Sequence, residues 1–178
     1  GKVSGDSIIW PVQQFKPAKF ESSFPSVVFD NKVSIFSKEK WKFNGNWNVF
    51  KVKSWDGKTE TEQAMFSKSR GDEIEFEFNG TGISLMGNWV KDGGKADIYL
   101  DGKYHRSIDT YYNYSKQEHR NISIWHVFQL KPGKHSVKVV VKGEKNKESQ
   151  DSNIYVTEAI IYRTGAKKSD LYKFSFEK

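Results

Sequence analysis

Hydrophobic and polar positions alternate with a period of two over most of the chain from about residue 47 onward, the pattern of half-buried extended strands. Glu73-Ile-Glu-Phe-Glu-Phe78 is the clearest stretch, with Ile74, Phe76 and Phe78 on one face and three glutamates on the other. The glycine-rich Asn79-Gly-Thr-Gly82 then predicts a turn in which glycine supplies positive φ, with Ile83-Ser-Leu-Met-Gly87 returning as the partner strand. Ala96, Ile98 and Leu100 form the next inward set and end at Asp101-Gly102, a strong signal for a type I′ hairpin. Tyr104, Arg106 and Ile108 continue beyond it. A strand over 124–130 closes at Lys131-Pro-Gly-Lys134, and Val137, Val139 and Val141 alternate after that. In the last long strand, 153–163, Ile154 and Val156 share a parity that Ala159 and Ile161 do not. A bulge near Thr157-Glu158 is predicted to restore the register. Residues 47–53 and 63–67 read as weaker strands, and 7–10 and 27–33 as edge strands.

No segment has helical periodicity. Many short strands separated by turn signals predict an all-β fold, an antiparallel β-sandwich or barrel. The length suits one domain: residues 1–25 as a linker or edge segment lying on it, 26–165 as the sandwich, and 166–178 as a polar tail.

Strand parity then predicts where function sits. Antiparallel strands reverse at every connection, so successive connections alternate between the two ends of the fold. The short turns at 79–82, 101–102 and 131–134 collect at one end. The loops 88–95, 109–123 and 143–153 collect at the other, with the turns at 44–47 and 70–72; the long connection 54–62 is the exception. Long loops on a rigid scaffold commonly carry binding residues. Here they hold rings and planar polar groups, which suit the C–H face and the hydroxyls of a sugar. The candidate ligand-binding residues are Trp47, Trp89, Asp92, Tyr111, Tyr112, Tyr114, Arg120, Glu144 and Asn153. Against this, a tryptophan at a strand end often plugs the core, which applies to Trp47 and Trp89 and more strongly to Trp41 and Trp125. One of Tyr111 and Tyr112 is expected to point inward, and Asp92 also reads as a turn-capping residue.

Composition narrows the chemistry. There is no cysteine, which excludes disulfides and thiolate metal sites. The formal charge of +7 is spread over scattered lysines. It reads as a solubilising surface, with an acidic partner such as a uronate- or sulfate-bearing glycan as the alternative. No apolar run is long enough to span a membrane. The opening Gly-Lys-Val-Ser-Gly reads as a processed chain or part of a longer one. Nucleophile-elbow, P-loop and dinucleotide fingerprints are missing, the four histidines are dispersed, and the glutamates at 73, 75 and 77 read as one solvated face. Without clustered charge or an RNA-recognition motif, nucleic acid is not expected as a partner.

The ordered set Phe78-Asn-Gly-Thr-Gly-Ile83, Gly93-Gly-Lys-Ala-Asp-Ile-Tyr-Leu-Asp-Gly102, Leu130-Lys-Pro-Gly-Lys-His135 and Val137-Lys-Val-Val-Val141 carries a family resemblance. Over about residues 45–163 it resembles the galactose-binding-like jelly-roll modules appended to bacterial glycan-degrading enzymes. The resemblance implies a sandwich of eight or nine strands, often a structural calcium, usually no catalysis, and an extracellular or periplasmic setting. That family keeps no fixed binding motif, so no site residue transfers from it. The expected function is a non-catalytic carbohydrate-binding module that takes a neutral or anionic poly- or oligosaccharide at the long-loop end and targets an attached catalytic domain. The alternatives are a structural sandwich docked on a neighbouring catalytic domain and, third, a glycan lyase or hydrolase.

Overall fold

In this computed structural model, residues 2–4, 7–9, 27–114 and 118–164 are described. The expected polar tail and most of the expected linker lie outside them. β1 (Lys2–Ser4) and β2 (Ser7–Ile9) pair with each other as a separate antiparallel ribbon. The remaining strands are β3 (Val27–Ser34), β4 (Trp41–Asn44), β5 (Asn48–Lys53), β6 (Glu60–Ser67), β7 (Glu73–Gly80), β8 (Gly82–Trp89), β9 (Gly94–Leu100), β10 (Lys103–Asp109), β11 (His119–Val127), β12 (Gly133–Lys145) and β13 (Ile154–Thr164). They form two antiparallel sheets. The five-stranded sheet runs β10-β9-β12-β7-β4; the six-stranded sheet runs β11-β8-β13-β6-β5, with β3 also paired to β13. The fold is an all-β sandwich, with more strands than the eight or nine implied by the resemblance.

Alternation places the core. Ile74, Phe76 and Phe78 of β7, Ala96 and Ile98 of β9, and Val137, Val139 and Val141 of β12 point from one sheet toward Ile83, Leu85, Ile154, Val156, Ala159 and Ile161 of the other. The three glutamates of β7 form the opposite, ion-paired face: Glu73 with Lys138, Glu77 with Lys134, and Glu75 and Glu77 with Lys42. Trp41 is buried against Phe76 at 4.4 Å in the short edge strand β4, whose four residues give too little alternation to be read as a strand.

The Asp101-Gly102 hairpin forms as expected, with φ of +50° and +74° at its two central residues. The Asn79–Gly82 expectation needs correction. β7 and β8 do not pair; they belong to different sheets, and the chain crosses between them with only Thr81 outside a strand. Gly80 and Gly82 are absent from the positive-φ residues. Their role is room: a Cβ on Gly80 would lie 2.6 Å from the Tyr162 carbonyl oxygen, and one on Gly82 would lie 2.9 Å from that of Val127. The predicted bulge is present. The β13–β8 register shifts between Val156 and Glu158, and Val156 and Ala159 both end up fully buried.

The parity expectation matches the observed contacts. At the long-loop end, Val90 N–H donates to Thr110 O at 3.1 Å and Tyr112 N–H to Val90 O at 3.0 Å, while Gln150 N–H reaches Lys91 O at 3.0 Å. Asn153 N–H donates to Asp92 O at 3.0 Å, and buried Ser149 Oγ lies 2.8 Å from Gly93 O. At the opposite end the short connections gather, with Leu130 N–H on Thr81 O and Asp101 N–H on Ser136 O, each at 2.9 Å.

Candidate functional site

The polar cavity at this end is assembled by two bulges on either side of one asparagine. In β8, Ile83 and Leu85 face the core, so Asn88 faces outward from the six-stranded sheet. On one flank, the β13 bulge turns two consecutive side chains, Thr157 and Glu158, away from the core. On the other flank, β11 is bulged between His119 and Ile122, and Arg120 and Asn121 lie opposite Asn88. Bulges commonly re-aim side chains in this way beside functional sites. Asn121 takes a left-handed φ of +51°, a conformation that asparagine tolerates better than most residues. Asn88 Oδ1 accepts from the Asn121 N–H at 3.0 Å, and Asn121 Oδ1 accepts from Thr157 Oγ1 at 2.7 Å. Three strands are thereby tied by side chains at one level.

A cavity of about 330 Å³ opens over these groups, walled by Gln63 and Glu62 of β6, by Ser34 and Phe36, and by Arg120. Its position follows from sheet topology. β13 pairs with β6 through Val156 and with β3 from Glu158 onward, so two strands part at Thr157 and leave a fork. Glu158 is buried there and is reached by Lys32 Nζ at 2.8 Å.

A second cavity of about 160 Å³ adjoins it, sharing Asn88 and Arg120 and extending to Val90, Lys91, Asp92, Glu118, Gln150 and Tyr155 at the loop end. Its apolar wall, Phe50, Val90 and Tyr155, belongs to a small cluster outside the main core that also holds Ala64 and Phe66. Tyr155 stacks on Phe66 at 5.3 Å and meets Phe50 edge-on at 5.4 Å. Such pairs are worth ~0.5–1.5 kcal/mol each beyond burial. The Arg120 guanidinium lies 4.7 Å over the Phe50 ring and is bonded to Glu118 through Nε and Nη2. Asp92 Oδ2 accepts from Tyr155 Oη and Asn153 Nδ2, each at 2.8 Å. Burial first, and then the adjacent Asp92 carboxylate, push the Tyr155 phenol above its ordinary range, which keeps it a donor.

The nine sequence-derived candidates therefore divide. Arg120 and Asp92 line the joined cavities, and Asn153 stands behind Asp92 as its hydrogen-bond donor. Tyr112 and Tyr114 form a neighbouring aromatic group, with Tyr112 4.5 Å from His119 and 5.6 Å from Tyr114; Tyr111 bridges to Val90 through the backbone. Of Tyr111 and Tyr112, neither is free: both are partly buried. Trp89 turns inward. Its ring packs on the main core, and its indole Nε1 is buried without a partner among the described residues. It borders a separate cleft of about 290 Å³ between the edge strands β10 and β11. Trp47 also packs on the core, its Nε1 donating to Glu73 O at 3.0 Å. Glu144 lies on the five-stranded sheet beside Lys142, in a third hollow with Arg70. Trp47, Trp89 and Glu144 do not line this groove: the two tryptophans pack against the main core, and Glu144 is carried by the other sheet.

Sequence reasoning missed Asn88, Asn121, Thr157, Glu158 and Gln63, which are strand residues rather than loop residues. The one available signal was the predicted bulge, because Thr157-Glu158 interrupts the otherwise apolar run from Ile154 to Ile161. Among the described residues no three His, Cys, Asp or Glu side chains gather to hold a metal ion.

No protein-family model and no curated protein matches this sequence. Among solved structures, the chain is similar to a two-domain esterase active on acetylated mannans and co-crystallized with mannopentaose. The TM-score is 0.53 at 15% identity, over 76% of this chain and 38% of that one. Another structure of the esterase gives 0.50 at 15% identity, over 85% of this chain and 42% of that one. The CBM36-1 domain of a multidomain xylanase, from the hindgut metagenome of Trinervitermes trinervoides, gives 0.44 at 11% identity, over 77% and 98%. The esterase likeness shows a shared β-sandwich fold, and this chain spans less than half of the esterase's length.

Proposed function

We propose that this chain is a non-catalytic carbohydrate-binding module that takes a glycan in the groove on the outer face of the six-stranded sheet. In this reading it holds an attached catalytic domain to its polysaccharide, outside the cell or in the periplasm. The observation that carries it is the pair of bulges flanking Asn88. They gather amide, hydroxyl, carboxylate and guanidinium groups from β8, β11 and β13 around one cavity. Sugar hydroxyls both donate and accept, so they need such mixed, planar partners at fixed positions. The rings of Phe36, Phe50 and Tyr155 supply apolar wall. A site of this size makes few contacts, so affinities of roughly 10 µM to 1 mM are expected. The esterase is active on acetylated mannans, which makes mannan oligosaccharides a sensible first probe.

The test is calorimetric titration of the chain with a panel of poly- and oligosaccharides, alongside Arg120→Ala. Binding by the parent and its loss in the variant support the reading. Binding that Arg120→Ala leaves intact moves the site elsewhere, and turnover of any polysaccharide replaces a module with an enzyme.

A docking role has one observation in its favour: Trp55 is fully exposed in the connection between β5 and β6. Among the described residues, the other exposed large apolar side chains, Phe29, Val49, Tyr104, Tyr114 and Phe128, are spread over separate elements. Single exposed apolar side chains are ordinary on a protein surface.

A further inference from the structure

Two of the exposed phenylalanines, Phe29 of β3 and Phe128 just after β11, lie on separate elements, yet the sheet registers set them in one row. Tyr162 stands between them. It is opposite Phe29 in the β13–β3 pairing, so the two side chains share a face. On its other side, the Phe128 ring meets Tyr162 edge-on at 5.0 Å. Gly82 makes that contact possible. It is the β8 residue opposite Tyr162, and a Cβ there would lie 2.9 Å from Phe128 Cδ1. The Phe128 ring therefore settles on bare backbone and reaches across β8. Phe29 is 59% exposed and Phe128 38%, so both ends of the row face solvent.

The row lies on the same face as the groove. Ile161 of β13 is buried in the core, so Tyr162, next along the strand, faces outward as Asn88 does on β8. Asn88 and Gly82 belong to one strand and stand about 20 Å apart along it. Between them Met86 and Ser84 take the outward positions of β8, with Ser84 set between its partners Ile160 and His126. On β13, Glu158, Ile160 and Tyr162 face outward in succession from the groove to the row.

From this continuity we propose that the ring row is a second contact surface for the glycan that fills the groove. The saccharide lies along β8 and β13, hydrogen-bonded over one stretch in the groove and stacked by its C–H faces over a later one on Phe29, Tyr162 and Phe128. The inference rests on the glycan-binding reading and names its substrate class: an internal run of an extended polysaccharide, not a chain end or a monosaccharide. The two surfaces divide the chemistry of a sugar between them. The groove offers amide, hydroxyl and guanidinium groups to hydroxyls, and the row offers flat apolar rings. A saccharide long enough to reach both makes the second contact at the effective concentration set by the first. A short one gains the groove alone, which therefore sets the affinity for short oligosaccharides.

The experiment is calorimetric titration with mannotriose, mannohexaose and soluble mannan, and with matching size series from xylan, cellulose and galactan. The parent is run beside Phe29→Ala, which truncates an exposed side chain, and beside Phe128→Ala and Arg120→Ala. In the series that binds, affinity is expected to rise about tenfold from the trisaccharide to the longer chains. Each ring variant removes most of that rise and leaves trisaccharide binding within about twofold of the parent, whereas Arg120→Ala weakens short and long chains alike. Equal affinity for short and long chains, or a length dependence that both ring variants keep, overturns the second surface while leaving the groove a glycan site. Loss of trisaccharide binding in both ring variants makes the row a support for the groove and overturns it as well. Sedimentation of the parent without saccharide tests the rival occupant: a dimer that Phe29→Ala dissociates gives the row to a second copy of the chain and overturns the proposal. No binding in any series overturns the module reading itself, and the inference with it.

Discussion

At the scale of single residues, the weight falls on Asn88 and Asn121. Asn88→Ala removes the acceptor for the Asn121 N–H and is expected to cost about 1–3 kcal/mol of stability, read by chemical denaturation. Asn121 separates backbone strain from recognition. Its φ of +51° suits glycine, so Asn121→Gly retains most of the stability that Asn121→Ala loses, a difference of about 1 kcal/mol. Both variants lose the Thr157 contact, so both are expected to weaken the proposed glycan binding. Trp89 makes the opposite prediction. With its ring on the core and its Nε1 buried, Trp89→Ala is expected to lower stability by about 3 kcal/mol while changing glycan affinity less than twofold. Lost binding at unchanged stability would return Trp89 to the ligand surface.

At the scale of elements, the bulges and the two ends of the sandwich matter most. The sequence announced one bulge, because apolar parity slipped within a single strand at Thr157-Glu158. It could not announce the β11 bulge, since Arg120-Asn121 sits among polar residues where a slip leaves no trace. The alternating strands and the convergence of their connections were legible for the same reason: burial imposes a period on the sequence. The fork between β3 and β6 was not legible, because it depends on which strand β13 chooses as neighbour, and alternation says nothing of partners. Tryptophan was likewise ambiguous, as the same ring serves a core and a sugar, and inward parity at the end of β8 decided it. The two ends also predict separable pH behaviour. At the short-turn end, burial opposes charging of His135, but acceptance by Lys131 O and the Asp101 carboxylate outweighs it and raises the imidazole above 6.5. That contribution to stability is complete below pH 6.5 and is lost as pH rises through the raised value. For Asp101, burial is likewise outweighed, by His135 and the Ser136 N–H, and the lowered carboxyl loses its contribution only as pH falls below 3.8 toward the lowered value. Thermal denaturation followed across pH 6 to 9 is therefore expected to register a small decline that His135→Gln removes, because the pair is partly exposed and worth at most ~1 kcal/mol. Glycan affinity, set at the other end, is expected to stay level over that range.

At the scale of the whole molecule, the sandwich is a rigid frame with its stabilising turns at one end and its joined loops at the other. The groove lies on the flank of the loop end, where β8, β11 and β13 carry it, rather than on the loops themselves. Rigid strands hold polar groups more closely than loops do, which suits recognition of hydroxyls by position. The most direct measurement is backbone amide NMR of the chain titrated with a neutral oligosaccharide that binds. The account predicts the largest shifts at Asn88, Arg120, Asn121 and Thr157, fading toward Lys91 and Asp92, with the Asp101–His135 end unmoved. Shifts centred on Trp89, Arg106 and His126 in the cleft between β10 and β11, with the Asn88 group silent, would contradict it.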